Sequence, residues 1–175
     1  MKVHQTFLTT LAIALFAATM PCFAAGEGSS QDSNHAININ FSDVRWQKIV
    51  PELGDRSSEI AILHVDRITH ATKLMIRVPP NVHVPQHWHS ANETHTVVDG
   101  TFVVECDGKR AELGKGSFTY IPAKRPHEAW TRANEGALLF ITVDSAWDIN
   151  WVNGPPKPSD FSPGLPGPSA AGGLR

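Results

Sequence analysis

From residue 59 to residue 143 the chain alternates short apolar or β-branched runs with glycine, proline, asparagine and aspartate. Runs of this length and composition fit half-buried strands, because a strand places successive side chains on opposite faces. The pattern predicts strands over 59–65, 73–78, 93–98, 101–106, 110–113, 117–121, 127–132 and 137–143. Between them stand turn signals: Pro79-Pro80-Asn81, Asp99-Gly100, Asp107-Gly108, 114–116, Pro122 and 134–136. Asp99-Gly100 and Asp107-Gly108 suit tight hairpins, since glycine reaches positive φ at little cost. No apolar period of 3.6 runs long enough to compete. Strands at this spacing predict an all-β sandwich or barrel.

The two ends read differently. Lys2 gives a positive start, residues 7–20 are almost wholly apolar, and small residues Cys22 and Ala24 follow. This is the order of a secretory signal peptide, and the apolar run is short for a bilayer span. The expectation is a leader at 1–24 and a periplasmic or secreted product. Pro21 before Cys22 argues against a lipid anchor. Residues 25–40 read as a flexible lead-in, 41–153 as the barrel, and 154–175 as a Pro/Gly-rich tail that no regular ladder or helix can hold for long.

Composition narrows the partners. The 175 residues carry 15 Lys and Arg, 17 Asp and Glu, and a formal charge of −2. No basic block stands out, so neither nucleic acid nor an anionic membrane is expected as a partner. Of the two cysteines, Cys22 lies in the expected leader, leaving Cys106 unpaired and, with nothing cationic evident beside it, expected to be inert.

The histidines are clustered. His83, His87, His89 and His95 lie close together beside Glu93, and His127 follows behind Pro122 and Pro126. In an extended chain His87 and His89 share a face, and Glu93, His95 and Val97 share another such parity. Imidazoles and a carboxylate converging on one point form a metal half-site, with His127 placed to reach it across a barrel. The spacing alone leaves a solvated, histidine-rich loop equally open. His95 is a candidate for a pocket role, as partner of a ligand or general base, or for a polar filler. Tyr120, the only tyrosine, is a candidate proton donor or a packed core residue. His64 and His83 have no constellation around them. Glu105 and Arg110 flank a turn and read as a hairpin ion pair, and Trp147 with Trp151 as a staple for the tail or an interface anchor.

His87-Trp88-His89, three residues, Glu93, six residues, Gly100 resembles the first motif of the cupin family. Gly116, Pro122 and His127 resemble the second. The resemblance implies a small antiparallel double-sheet (jelly-roll) barrel with one divalent transition metal, of iron, manganese, zinc, nickel or copper, held by His87, His89, Glu93 and His127. Asn81 stands where the first motif has glycine. Lys124 replaces a glycine of the second, and Thr131 its closing asparagine. Four protein ligands leave positions open for a small molecule. The expectation is an exported metal-binding cupin, read as a metal-dependent enzyme (dioxygenase, lyase or isomerase, with oxidoreductase leading) on a small oxygenated organic molecule. The alternative is a non-catalytic small-molecule or metal-binding cupin. A storage or regulatory role has no positive support. Cupins commonly dimerise through the outer face of a sheet, so a homodimer is an available assembly.

Overall fold

The computed structural model describes residues 35–161. The expected leader, most of the lead-in and the end of the tail lie outside the described residues. Chain order gives β1 (Gln47–Lys48), β2 (Glu59–Val65), β3 (Thr72–Val78), β4 (His83–Trp88), β5 (Glu93–Gly100) and β6 (Phe102–Cys106). There follow β7 (Lys109–Leu113), β8 (Phe118–Ile121), β9 (His127–Thr131), β10 (Ala137–Val143) and β11 (Asn150–Trp151). All pairings are antiparallel, in one sheet ordered β1-β2-β3-β10-β5-β8 and another ordered β11-β4-β9-β6-β7. Among the described strands no ladder joins the two sheets, so the expected barrel is a pair of sheets face to face.

The core lies between them and follows from alternation. On β10, Ala137, Leu139, Ile141 and Val143 are buried while the residues between them are not. Leu139 and Ile141 stand opposite Ile76 and Leu74 on β3, and opposite Val97 and His95 on β5. Phe102, Val104 and Ala129 belong to the same buried cluster from the facing sheet. Each fully buried aliphatic side chain contributes roughly 1.5–3 kcal/mol of transfer free energy, so this row anchors both sheets around the polar groups it encloses.

Three elements escape the hydrophobic pattern. Strands β1 and β11 are too short to show a period. Strand β4 reads His-Val-Pro-Gln-His-Trp, with no apolar alternation, and its register against β9 shifts between Val84 and His87. Pro85 falls in that irregularity, where a missing N–H is tolerated.

One turn reading needs correction. Asp107-Gly108 closes the β6–β7 hairpin, with both residues at positive φ. Asp99-Gly100 closes no hairpin, because β5 and β6 belong to opposite sheets. Gly100 (φ 75°) serves close approach instead: a Cβ there would meet the Gly136 carbonyl oxygen at 2.1 Å.

The departures from the family motifs are accommodated. Asn81 and Lys124 both adopt φ 60°, the left-handed conformation that glycine would take most easily. The Lys124 amide donates to the main-chain oxygen of His89 at 2.8 Å, tying the two motif loops together. Thr131 is buried; its hydroxyl donates to the Pro79 carbonyl at 2.6 Å and accepts from the Val82 amide at 3.0 Å.

Candidate metal centre

His127 does not reach across the barrel. It begins β9 beside β4, directly opposite His87 in the same sheet, with ring centroids 4.3 Å apart. His89, just beyond β4, closes the group at 5.1 Å from the His87 ring and 5.3 Å from that of His127. The three offer ligand nitrogens all within 4.8 Å of one another, and all three are buried.

Their tautomers follow from hydrogen bonding. His87 Nδ1 lies 2.7 Å from the Pro85 carbonyl, His127 Nδ1 3.0 Å from that of Arg125, and His89 Nδ1 against that of Asp148. A carbonyl only accepts, so each Nδ1 carries the proton and each Nε2 keeps its lone pair, the state in which imidazole binds a metal. Burial, then the neighbouring His127 and His89, hold His87 well below the usual imidazole pKa. Burial likewise brings His127 down to about 4. His87 and His127 are therefore neutral at pH 7.

Glu93 is the element that crosses between the sheets. It starts β5 and is almost wholly buried, with Oε2 3.2 Å from His89 Nε2 and 4.0 Å from His127 Nε2. It stands beside the tight group of three histidines rather than within it. Burial alone would raise its carboxyl, but His95, His89 and His127 outweigh that and hold it at about 2. His95, two residues on and equally buried, brings Nε2 to 2.8 Å from the same oxygen. That approach is out of line for a hydrogen bond: Glu93 Oε2, both His95 nitrogens and His127 Nε2 have no hydrogen-bond partner. An ionised carboxylate and lone-pair nitrogens buried together are costly unless a cation joins them. The three imidazoles could therefore hold a metal ion, with a carboxylate at hand.

The other candidates fall elsewhere. Tyr120 is 53 % exposed, on the outward side of β8, and is not brought to the cluster. Cys106 is partly buried opposite His127, its thiol pushed up by burial and by Asp107. Glu105 and Arg110 form the cross-strand pair at 2.8 Å. His83 bonds Glu128 at 2.9 Å and stacks on Trp130, away from the three rings. Trp147 packs 5.8 Å from the His89 ring and Trp151 5.5 Å from that of His87, so the tail tryptophans wall the cluster. The cavity at the histidines is small, ≈ 60 Å³, and otherwise lined mainly by aliphatic and aromatic side chains such as Ile76, Phe102, Trp147 and Ile149. A larger cleft of ≈ 440 Å³, lined by His83, Glu128, Trp151 and Asp160 among others, includes none of the clustered histidines. Sequence reasoning missed Asp144 and Asp148, which hold the loop between His89 and Glu93; no spacing rule links them to it.

Two facing antiparallel sheets with a buried histidine cluster between them define the class. Residues 74–144 match the family model of the cupin domain, and the chain therefore carries a cupin domain. No curated protein gives a significant match. Among solved structures, the polyketide cyclase RemF from Streptomyces resistomycificus superimposes with TM-score 0.57 and 21 % identity, covering 67 % of this chain and 86 % of that one. The DMSP lyase DddQ from Ruegeria pomeroyi gives 0.56 and 15 % identity, over 66 % of this chain and 64 % of its own. KdgF from Halomonas sp. gives 0.50 and 17 % identity, over 60 % and 92 %. At these identities the likeness establishes the cupin fold alone.

Proposed function

We propose that this protein is an exported, metal-dependent cupin enzyme, a dioxygenase, lyase or isomerase, acting on a small oxygenated organic molecule. The observation that supports it most is the shared arrangement of His87, His89 and His127: each Nδ1–H is committed to a carbonyl, and each Nε2 is left to the cluster. These three and Glu93 would hold the ion. When bound, it would supply Lewis acidity to an oxygen-bearing ligand. The aliphatic lining excludes bulk water and receives the apolar part of that ligand. His95 is the one ionisable side chain of the cavity lining outside the ligand set, so proton transfer falls to it, and Tyr120 faces the wrong way to share it. Export rests on the leader-like residues 1–24, and the partner is a small molecule rather than nucleic acid or membrane.

The size of the cavity favours a second reading. A space of ≈ 60 Å³ admits a few waters, whereas sites for drug-sized ligands span roughly 300–1,000 Å³. A non-catalytic metal-binding cupin needs no more room than that.

Elemental analysis of the protein from its native compartment, followed by turnover assays of the loaded protein, separates the readings. About one transition ion per chain is expected, with conversion of at least one member of a panel of diketones, catechols and hydroxy acids. Stoichiometric metal with no conversion moves the assignment to binding alone, and absence of metal overturns both.

A further inference from the structure

Residues 144–151, from the end of β10 through β11, cross the loop between His89 and Glu93 and are bonded to it at Asp144 and Asp148. Asp144 accepts from the Asn92 amide at 2.9 Å and from its side-chain Nδ2 at 2.5 Å. Asn92 Oδ1 in turn accepts from the Ala123 amide at 2.9 Å, in the loop leading to His127. Asp148 accepts from the Ser90 amide at 2.8 Å and from the Ser90 hydroxyl at 2.6 Å, while its own carbonyl takes the Nδ1–H of His89. Trp151 then stands opposite His87 in register. Trp147 and Ile149, between these anchors, line the cavity.

One residue thus fixes both the position and the tautomer of a proposed ligand. The carboxylate of Asp148 sets where the chain stands just after His89, and its carbonyl decides which nitrogen of that ring stays unprotonated. We propose that Asp148 is a positioning residue of the metal centre, and that docking of the 144–151 strap and occupancy of the histidine cluster are coupled. This rests on the metal reading above. Coupling of this kind is reciprocal: whatever factor strap docking adds to ion affinity, the ion adds to strap docking. Hydrogen bonds to the far nitrogen of a ligand histidine are typically worth about 10–100-fold in affinity.

The test uses the full chain, titrated with zinc against a competing chelator, with cobalt(II) as a spectroscopic probe and hydrogen exchange over residues 144–151. Asp148→Ala removes both carboxylate bonds to Ser90 and keeps the main-chain carbonyl that meets His89 Nδ1. It is therefore expected to weaken zinc binding about tenfold, the lower end of what an outer partner of a ligand contributes, and to shift the cobalt visible bands. Asp148→Asn keeps an acceptor for the Ser90 amide and recovers most of the affinity. In the wild type, zinc slows exchange of the strap. Asp66→Ala serves as a structural control: Asp66 caps an exposed turn through Ile68 and Thr69, so this variant lowers Tm and leaves zinc affinity unchanged. Should Asp148→Ala fail to fold, Ser90→Ala removes one bond of the clasp and is expected to weaken zinc a few-fold. Wild-type affinity and cobalt spectrum in Asp148→Ala (or, if that fails to fold, in Ser90→Ala), or a strap whose exchange ignores zinc, overturns the proposal. A wild type that binds no zinc or cobalt overturns instead the metal reading beneath it.

Discussion

The two sheets meet at one cavity but bring polar groups to it in opposite conditions. The five-stranded sheet offers His87 and His127, with His89 just past its edge, and each has its outer nitrogen bonded to a carbonyl. The six-stranded sheet offers Glu93 and His95, whose facing atoms lie 2.8 Å apart without forming a hydrogen bond. One half is thus oriented before any ligand arrives, because its rotamers and tautomers are set by main chain. The other half holds a carboxylate, kept ionised by the imidazoles around it, whose oxygen lacks a partner. On the proposed metal reading, the histidines would fix the ion's position, and Glu93 with His95 would respond to its charge and to what it binds.

The contrast is broken most severely by removing two of the oriented rings. His87→Ala combined with His89→Ala leaves a single histidine of the group, and metal content is expected to fall to background by elemental analysis. Full retention would mean that the ion sits elsewhere. Acid should divide the two halves in sequence. His127 has its pKa lowered from 6.5 to about 4, so the unfolded chain binds more protons between those values. Its contribution to the stability of the metal-free protein is therefore complete above about 6.5 and lost as pH falls through about 4. Glu93 is lowered from 4.5 to about 2, so its contribution is lost lower, as pH falls from 4.5 through about 2. Tm of the metal-free protein should fall from pH 7 to pH 4 and again below it. A Tm that rises toward pH 5 contradicts the neutral, buried state of the rings.

Glu93→Gln tests the responding half. The amide oxygen still coordinates but carries no charge, and a loss of about tenfold in affinity is expected, far less than for the double histidine variant. Equal affinity in wild type and variant would remove Glu93 from the ligand set, in keeping with its place just outside the tight trio.

The fold was legible because strands β2, β3, β5, β6, β8, β9 and β10 either alternate or form short apolar runs between turn residues, and burial reads such patterns directly. Strand β4 was not, because its residues were chosen for the site rather than for the core: a proline at a bulge and polar side chains carry no period. The gathering of His87, His89, Glu93 and His127 was legible through motif spacing. Which sheet carries His127 was not, since β4 and β9 pair across a long stretch of chain that spacing cannot see. Nor could Asp144 and Asp148 be found, for their bonds depend on where an irregular segment happens to cross. Tyr120 is neither beside the cluster nor packed in the core: β8 is an edge strand, and alternation turns this side chain outward while Ile121 turns in.

The smallest expected effect on binding is the one that sharpens the comparison furthest. His95 faces Glu93 yet is no member of the histidine trio, and its ring packs edge-on against Phe102 at 5.6 Å. His95→Phe keeps that packing and removes two buried nitrogens that have no partner, which by itself favours the folded chain by roughly 1 kcal/mol. Against this, Glu93 loses the imidazole that does most to hold its carboxyl down, so the two effects oppose and Tm should move little. Zinc affinity at pH 7 should stay within about threefold, because Glu93 remains ionised there and all three oriented rings are untouched. Turnover, if His95 handles the proton, should fall about 10²–10⁴-fold with metal content unchanged. A loss of metal alongside turnover would make His95 a ligand, and would erase the proposed division between an orienting half and a responding half.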